Sequence, residues 1–329
     1  STAKVTAKLL TGSKVAFVGT CTIGIDHLDT KYMDAQNIAW HNAPGCNAEG
    51  VGDYVISCLN YAWQELGIDP RLQTIGIVGA GNVGGRLAKR LKKAGFNLLQ
   101  CDPPKADAGH KGYVALDELL ERCEIVCLHT PLTKTGAHAT QNLLDETRVK
   151  GLKRGTVLIS AGRGEVVNQQ SLLMRQRQHD DLHLFMDVWH QEPNIDTDLF
   201  DYCHCVTPHI AGHSLEGKMR GSYMIYQALC EHFSLVAKHS LSELIPKPAV
   251  EYLQLRPNAS VKECLAAGCS SVYPLMEDDA RMRAGNNFDL LRKTYPVRRE
   301  FSSLKLQGIA QPECVALMVG LGFSMEKGV

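Results

Sequence analysis

A glycine-rich loop between a strand and a helix is the feature that most constrains this fold. Residues 74–91 read TIGIVGAGNVGGRLAKRL, which places Gly-x-Gly-x-x-Gly directly after an apolar run and at the start of an amphipathic segment. In such a context the first glycine permits a tight turn, the second lets the backbone approach a pyrophosphate, and the third lets the helix pack closely. Amide groups at the helix start then bind phosphates. We predict a dinucleotide site formed by Gly79, Gly81, Asn82, Val83 and Gly84.

A carboxylate ends the next predicted strand. Asp102 follows Gly84 by eighteen residues, where it would accept hydrogen bonds from the adenosine ribose hydroxyls. A carboxylate repels the 2′-phosphate of NADP, and no arginine adjoins Asp102, so the sequence favours NAD as the cofactor. The nearby Lys105 weakens that preference.

Short apolar runs alternate with amphipathic segments through the middle of the chain, which predicts an α/β fold with a doubly wound parallel sheet of the Rossmann type. The predicted strands are 75–78, 98–101, 125–129, 157–160, 182–186 and 205–207. Before them, two short strands (15–19 and 37–40) precede a long helix that Asn47 caps. After them, a helix over 215–238 leads to a proline-containing linker and to an alternating unit whose fold class the pattern leaves open.

Charge and cysteine usage exclude several classes of protein. Thirty-five basic residues balance thirty-five acidic ones, so no overall field attracts nucleic acid or an anionic membrane. We find no apolar run of membrane-spanning length and no leader-like start, and we expect a cytoplasmic protein. The twelve cysteines lack a Cys-x-x-Cys pair, which favours small core residues in a reducing compartment. We expect no metal site, because alternation along a strand would point His204 away from Cys203 and Cys205.

Three polar side chains follow strands in the second half of the predicted sheet, where the strand ends form a ligand-binding crevice. Arg163 stands between glycines and could grip a carboxylate with both arms of its guanidinium. His209 could take a hydroxyl proton, and Glu192 could orient and stabilise its charged imidazole. Taken singly, a surface arginine in a turn or a structural histidine is the commoner interpretation.

Together these motifs identify a resemblance to the D-2-hydroxyacid dehydrogenase superfamily. Gly-x-Gly-x-x-Gly, Arg-Gly, Glu-Pro and Pro-His-Ile-Ala-Gly occur in the order typical of that superfamily. Within it, the chain is most similar to the branch that oxidises 4-phospho-D-erythronate. The similar segments are FVGTCTIGIDHLDT, APGCNA, GNVGGRL, CDPPKAD, LHTPLT, DVWHQEP, PHIAGHSLEGKMRG and RREFSSL.

The resemblance implies four parts. Residues 1–66 would be a flavodoxin-like substrate domain, incomplete at its amino terminus, with a connecting helix, and residues 67–210 the NAD-binding Rossmann domain. Residues 211–244 would be a returning helix that packs on the substrate domain, and residues 245–329 an α+β dimerisation domain. A homodimer is therefore expected.

The resemblance also implies an activity and a site. The reaction would be NAD-dependent oxidation of 4-phospho-D-erythronate at C2 in vitamin B6 biosynthesis, with Arg163, Glu192 and His209 as catalytic residues. Cofactor contacts would fall on Asp102, Thr130, Ala161, Gly162, Arg163, Asp187 and Gly212. Substrate contacts would fall on Ser1, Thr22 and His213.

The chain departs from this branch in three places. Its members carry a further strand and an arginine before the position of Ser1, which suggests a shortened chain. His213 replaces a common tyrosine and would alter the pH dependence, and Gly162 replaces a common cysteine, which we expect to be a packing difference. Lys218 and Arg220 are candidates for the phosphate site, although solvated helix charges are the commoner case.

Two alternatives remain open. One is another dehydrogenase of the superfamily, of the phosphoglycerate or glyoxylate/hydroxypyruvate type, against which the carboxyl-terminal segment argues. The other is an NAD(H)-sensing binding protein, which need not retain Arg163, Glu192 and His209 together.

Overall fold

A six-stranded parallel sheet forms the centre of the molecule in the computed structural model, which describes residues 4–285 and 287–326. Every neighbouring pair of its strands is parallel, and their spatial order is β4 (Asn97–Cys101), β3 (Thr74–Val78), β5 (Ile125–Leu128), β6 (Val157–Ser160), β7 (His183–Met186) and β8 (Cys203–Val206). Strands β5 and β6 are buried along their whole length because helices cover both faces of the sheet. The predicted doubly wound α/β fold is confirmed, with strand ends within two residues of those predicted.

The elements of this central region run from the glycine-rich loop to the loop before His209. They are β3 (Thr74–Val78), α4 (Asn82–Lys93), β4 (Asn97–Cys101), α5 (Pro103–Asp107), α6 (Leu116–Arg122), β5 (Ile125–Leu128), α7 (Glu146–Gly151), β6 (Val157–Ser160), α8 (Gln169–His179), β7 (His183–Met186) and β8 (Cys203–Val206). The strand order reverses between β3 and β5, and this is the switch point at which such sheets bind ligands.

A smaller unit precedes the central sheet. It consists of α1 (Ala7–Leu10), β1 (Phe17–Gly19), α2 (Thr30–Ala35) and β2 (Ala39–His41), followed by the long helix α3 (Ala48–Glu65). Strands β1 and β2 pair in parallel over a small core of Leu10, Met33 and Ile38. Ser1, a predicted substrate contact, lies outside the described residues.

A second sheet lies in the carboxyl-terminal region. The elements there are α9 (Leu215–His232), α10 (Leu241–Leu244), β9 (Tyr252–Gln254), α11 (Val261–Val272), α12 (Leu275–Arg283), α13 (Phe288–Lys293), β10 (Lys305–Gln307), α14 (Pro312–Gly320) and β11 (Ser324–Met325). The strand order is β11-β10-β9, and both pairs are parallel. The domain expected to be α+β thus contains a small parallel sheet with its helices. Helices α11 and α12 meet within the apolar segment 272–276.

Helix α3 joins these regions through one continuous core. Its buried face packs with β3, β5 and β6 of the central sheet and with apolar residues of α11 and α14. At its centre the buried Asp53 accepts hydrogen bonds from Arg90 at 2.5 Å and from the backbone of Phe301 at 3.0 Å. The carboxyl-terminal region is therefore part of the core that supports the glycine-rich loop.

All twelve cysteines are free, and all except Cys21 are buried. In the described part of the chain, no helix is both long enough and apolar enough to cross a membrane.

Candidate active site

The glycine-rich loop has the geometry that close approach of a phosphate requires. Gly79 has φ +86°, and a Cβ there would lie 3.0 Å from the backbone of His129 and Thr130 at the end of β5. At Gly84 a Cβ would lie only 2.0 Å from the carbonyl oxygen of Gly79. Around Gly81, by contrast, a Cβ would meet no described atom within 4 Å, so this side of the loop is open. The amino-terminal amides of α4 therefore have room for a pyrophosphate.

Asp102 lies beside this loop at the end of β4. Its carboxylate accepts hydrogen bonds from the backbone amides of Ala80 at 2.8 Å and Lys105 at 3.2 Å. The Lys105 ammonium donates to the Ala80 carbonyl. Its positive charge, which weakens the preference for NAD over NADP, therefore lies close to Asp102. These contacts hold the carboxylate next to the first turn of the glycine-rich loop.

The loop after β8 is built around a buried carboxylate. Asp187 accepts hydrogen bonds from the Thr207 hydroxyl at 2.6 Å and from the amides of Ile210 at 2.7 Å and Ala211 at 3.0 Å. Its own carbonyl accepts from the His209 amide at 2.7 Å. Asp187 was expected to contact the cofactor, which stays a prediction. In this structure its carboxylate holds the loop that carries His209.

Glu192 and His209 form a close pair. The Nδ1 atom of His209 lies 2.6 Å from Oε2 of Glu192, and Oε1 of Glu192 accepts from the Trp189 amide at 2.9 Å. A carboxylate on Nδ1 keeps the proton there, which leaves Nε2 free to accept another. The loop geometry requires φ +55° at His209, an uncommon conformation outside glycine. This arrangement can serve as an oriented general base.

Arg163 lies at the end of the neighbouring strand β6. A Cβ on the adjacent Gly164 would be 2.0 Å from the Trp189 carbonyl oxygen, so the Arg163 turn packs directly on the loop that holds Glu192. Its guanidinium extends towards the amino-terminal unit, where a Cβ on Gly24 would lie 3.0 Å from Nη2. The Thr22 hydroxyl donates to the Gly24 carbonyl at 2.8 Å. Arg163 therefore lies between the loop that holds Glu192 and the segment that contains Gly24 and the predicted substrate contact Thr22.

The other predicted cofactor residues lie along the same sheet edge. The Thr130 hydroxyl is buried and has no hydrogen-bond partner among the described residues. A Cβ on Gly162 would be 3.0 Å from the Thr130 carbonyl, so the backbones of these two loops pack closely at this position. Ala161 precedes it at the end of β6, and Gly212 packs against Asn47 at the start of α3, where a Cβ would be 2.2 Å from Nδ2.

His213 lies on the carboxyl-terminal side of the same loop. Its ring makes an edge contact with Tyr295 at 5.7 Å between centroids. Burial, and then the positive charges of Lys218, Arg292, Arg298 and His209, lower the pKa of His213 to about 3. Burial and these charges favour the neutral form of the imidazole. The expected effect of His213 on the pH dependence of activity stays a prediction.

The comparisons with known proteins agree on one family. Residues 47–211 match the family described as "D-isomer specific 2-hydroxyacid dehydrogenase, NAD binding domain". The chain is 48% identical over 315 residues to the erythronate-4-phosphate dehydrogenase of Chromohalobacter salexigens, covering 93% of this chain and 82% of the relative. It is 45% identical over 328 residues to that of Pseudomonas fluorescens, covering 97% and 86%.

The chain belongs to the D-isomer-specific 2-hydroxyacid dehydrogenases. Residues 244–322 match a second family, described as a domain of unknown function. Among solved structures, the fold is similar to the NAD-bound 3-phosphoglycerate dehydrogenase of Entamoeba histolytica. That likeness has a TM-score of 0.59 and 22% identity, and it covers 72% of this chain and 81% of the other.

This dehydrogenase has the NAD-binding domain of its family, and the open face at Gly81 fits that cofactor. Two features of the site were missed at the sequence level. The bracing role of Asp187 depends on backbone amides, which every sequence has, so no residue pattern could reveal it. The contact of Tyr295 with His213 joins positions that are far apart in the chain.

The buried histidines give a prediction about stability against pH. The folded-state pKa values of His213 and His129, about 3 and about 4, lie below the value of 6.5 for an exposed histidine. The unfolded chain therefore binds more protons below pH 6.5, and folding stability falls as the pH is lowered from 7 to 5, by about 2 kcal/mol for each histidine.

Urea unfolding at the two pH values measures this loss. We expect the His213→Tyr variant to lose about 2 kcal/mol less than the unaltered chain between pH 7 and pH 5. An equal loss in both proteins would show that His213 is not held neutral.

Proposed function

We propose that this dehydrogenase oxidises 4-phospho-D-erythronate at C2 with NAD, giving 2-oxo-3-hydroxy-4-phosphobutanoate. The observation that carries the proposal is the His209–Glu192 pair at 2.6 Å, packed against the Arg163 turn at the edge of an NAD-binding sheet. The substrate is inferred from the relatives named erythronate-4-phosphate dehydrogenase, which match 93% or more of the chain.

The three side chains divide the chemistry. Arg163 binds the substrate carboxylate with its guanidinium and polarises the neighbouring C2. Nε2 of His209 accepts the C2 hydroxyl proton, and Glu192, 2.6 Å from Nδ1, stabilises the imidazolium that forms. NAD, when bound, accepts the hydride from C2. Closure of the amino-terminal unit over Arg163 through the Thr22–Gly24 loop would help to exclude water.

The same proposal places the reaction in the cytoplasmic synthesis of pyridoxal 5′-phosphate. A 2-hydroxy acid that carries a phosphate at its far end becomes a 2-oxo acid, which is chemically ready to accept an amino group. The proposed product is therefore a suitable intermediate on the route to a pyridine ring.

Substrate choice is tested by assaying the purified protein with NAD and 4-phospho-D-erythronate, and in parallel with 3-phosphoglycerate. We expect NADH formation with kcat/KM at least about a hundredfold higher for 4-phospho-D-erythronate, because a misplaced phosphate and a missing carbon cost several contacts. A preference for 3-phosphoglycerate would assign the protein to another branch of the family.

The catalytic roles are tested by His209→Ala and Arg163→Ala. We expect each variant to lower kcat/KM by at least about a hundredfold, because a general base or an anchoring charge is lost. NAD binding, followed by fluorescence titration, should persist. His179→Ala is the matched control and should keep the unaltered rate, because this exposed residue ends α8 just before β7 begins, at the opposite edge of the sheet. Near-normal rates in both active-site variants would remove these residues from the mechanism.

We further propose that the protein is a homodimer joined through residues 245–329. Strand β9 is an edge strand of the second sheet, and beside it Val250 and Tyr252 are 57% and 41% exposed. An edge strand with apolar side chains is suited to pairing with a second copy. Deleting residues 245–329 would be a poor test, because Leu306, Leu317 and Phe323 belong to the shared core.

Light scattering of the Val250→Asp/Tyr252→Asp double variant tests this interface. We expect a monomer, because two carboxylates would be buried between copies without partners. Leu72→Asp, at a position 78% exposed outside this region, is the control and should remain dimeric. A dimeric double variant, or a monomeric unaltered chain, would contradict the proposal.

A further inference from the structure

A buried arginine with unused hydrogen-bonding capacity lies behind the His209 loop. Arg298 is 5% exposed. Its Nη2 atom donates to the carbonyls of Ala211 and, at 3.3 Å, Gly50. Its Nε and Nη1 atoms have no partner, and no carboxylate pairs with it, within residues 4–285 and 287–326. Its guanidinium carbon lies 4.1 Å from the centre of the Tyr273 ring. The charges of Asp53 and Asp278 act on Arg298 from beyond ion-pair distance and favour its charged form. They leave its two buried N–H groups without an acceptor, which is costly and suggests that an anion binds nearby.

The position of Arg298 is fixed by main-chain contacts to the catalytic loop. Its carbonyl accepts from the Leu215 amide at 2.8 Å, and its backbone forms an isolated parallel bridge with Ser214. Ser214 directly follows His213, and Ala211 stands two residues after His209. The Arg298 guanidinium therefore lies on the side of the site where His213 is. The Arg163 guanidinium, near Gly24, is on the other side.

Two more cations gather around the same imidazole. The Lys218 ammonium lies 5.9 Å from the centre of the Tyr295 ring, which itself contacts His213. Arg292 has a buried Nε atom with no partner among the described residues. Neither Lys218 nor Arg292 forms an ion pair in that part of the chain. Both charges, with that of Arg298, act on the His213 ring and help to lower its pKa.

A cavity of about 290 Å³ shares Tyr295 with the surroundings of His213 and Lys218. It lies next to Pro208, immediately before His209, and is lined by Leu291, Thr294 and Tyr295 among others. Asp278 also lines it, but its carboxylate accepts from Arg281 at 2.9 Å and from the Tyr295 hydroxyl at 2.6 Å. The two charged residues of the lining, Asp278 and Arg281, are therefore paired with each other.

We propose that Lys218 and Arg292, with the buried Arg298 behind them, form the binding site for the phosphate group of the substrate. The inference rests on the function proposed above and adds the part of the site that recognises the end of the substrate remote from its carboxylate. Arg163 holds the carboxylate at one side of His209, and the cations around His213 hold a phosphate monoester at the other. The phosphate supplies the negative charge that these three cations lack.

This assignment also separates the two candidates that the sequence offered. Arg220 is ion-paired with Glu300 at 2.8 Å and donates to the Cys46 carbonyl, so its guanidinium is already engaged. Lys218, by contrast, has no carboxylate partner among the described residues. Of the two, only Lys218 is available to bind a phosphate.

The test measures how fast the full chain oxidises two compounds with NAD. One is 4-phospho-D-erythronate, and the other is D-erythronate, which lacks the phosphate. The variants are Lys218→Met and Arg292→Met, and Lys293→Met is the control on the same helix as Arg292, where the side chain is exposed. We expect the ratio of kcat/KM for the phosphorylated over the unphosphorylated substrate to fall at least about tenfold in each variant, because a charge-assisted contact is lost. The fall should appear in KM, and the inhibition constant for inorganic phosphate should rise in parallel.

The outcomes separate this inference from the proposed function. If both variants keep the ratio of the unaltered enzyme while it still oxidises 4-phospho-D-erythronate, the phosphate site is wrong and the function stands. If Lys293→Met lowers the ratio of the two kcat/KM values as strongly as the other variants do, the change comes from general surface charge. The proposed phosphate site is then also wrong. If the unaltered protein oxidises neither compound, the proposed function fails and the phosphate site fails with it.

Discussion

The buried carboxylate of Asp187 is the constraint on which the active site depends. It accepts three hydrogen bonds from residues 207–211 and fixes the loop in which His209 adopts a left-handed backbone conformation. That conformation would be costly in an unsupported loop. With the loop held, the imidazole meets Glu192 at 2.6 Å, and the Arg298 guanidinium meets the carbonyl of Ala211. The contacts of Asp187 thus support the loop that brings His209 to Glu192.

Close backbone packing also brings the Arg163 turn, the Glu192 loop and the glycine-rich loop to one edge of the sheet. Gly164 leaves no space for a Cβ beside Trp189, so the turn with Arg163 packs directly against the loop with Glu192. Gly79 packs in the same way against the end of β5. Glycine is needed at these positions because neighbouring loops meet through their backbones. The relative positions of the glycine-rich loop, Arg163 and Glu192 are consequently set by how these loops pack at the sheet edge.

Much of this could be predicted from sequence because the signals are local. The glycine-rich loop, its strand and its helix lie within residues 74–93, and apolar runs marked each strand of the central sheet. The pairing of His209 with Glu192 was expected from motif order. The contacts of Asp187 could not be expected from sequence. Their donors are mostly backbone amides, which occur at nearly every residue. The environment of Arg298 and Tyr295 was also inaccessible, because it joins segments about eighty or more residues apart, and pairing over such distances leaves no periodic pattern in the sequence.

The most direct measurement is a crystal structure of the protein with NAD and 4-phospho-D-erythronate. The account predicts the pyrophosphate at the amino terminus of α4 and the C2 hydroxyl within hydrogen-bond distance of Nε2 of His209. It also predicts the substrate carboxylate on Arg163, with the nicotinamide ring stacked over C2. A nicotinamide ring or substrate bound away from His209, or an Arg163 turned away from the carboxylate, would contradict it.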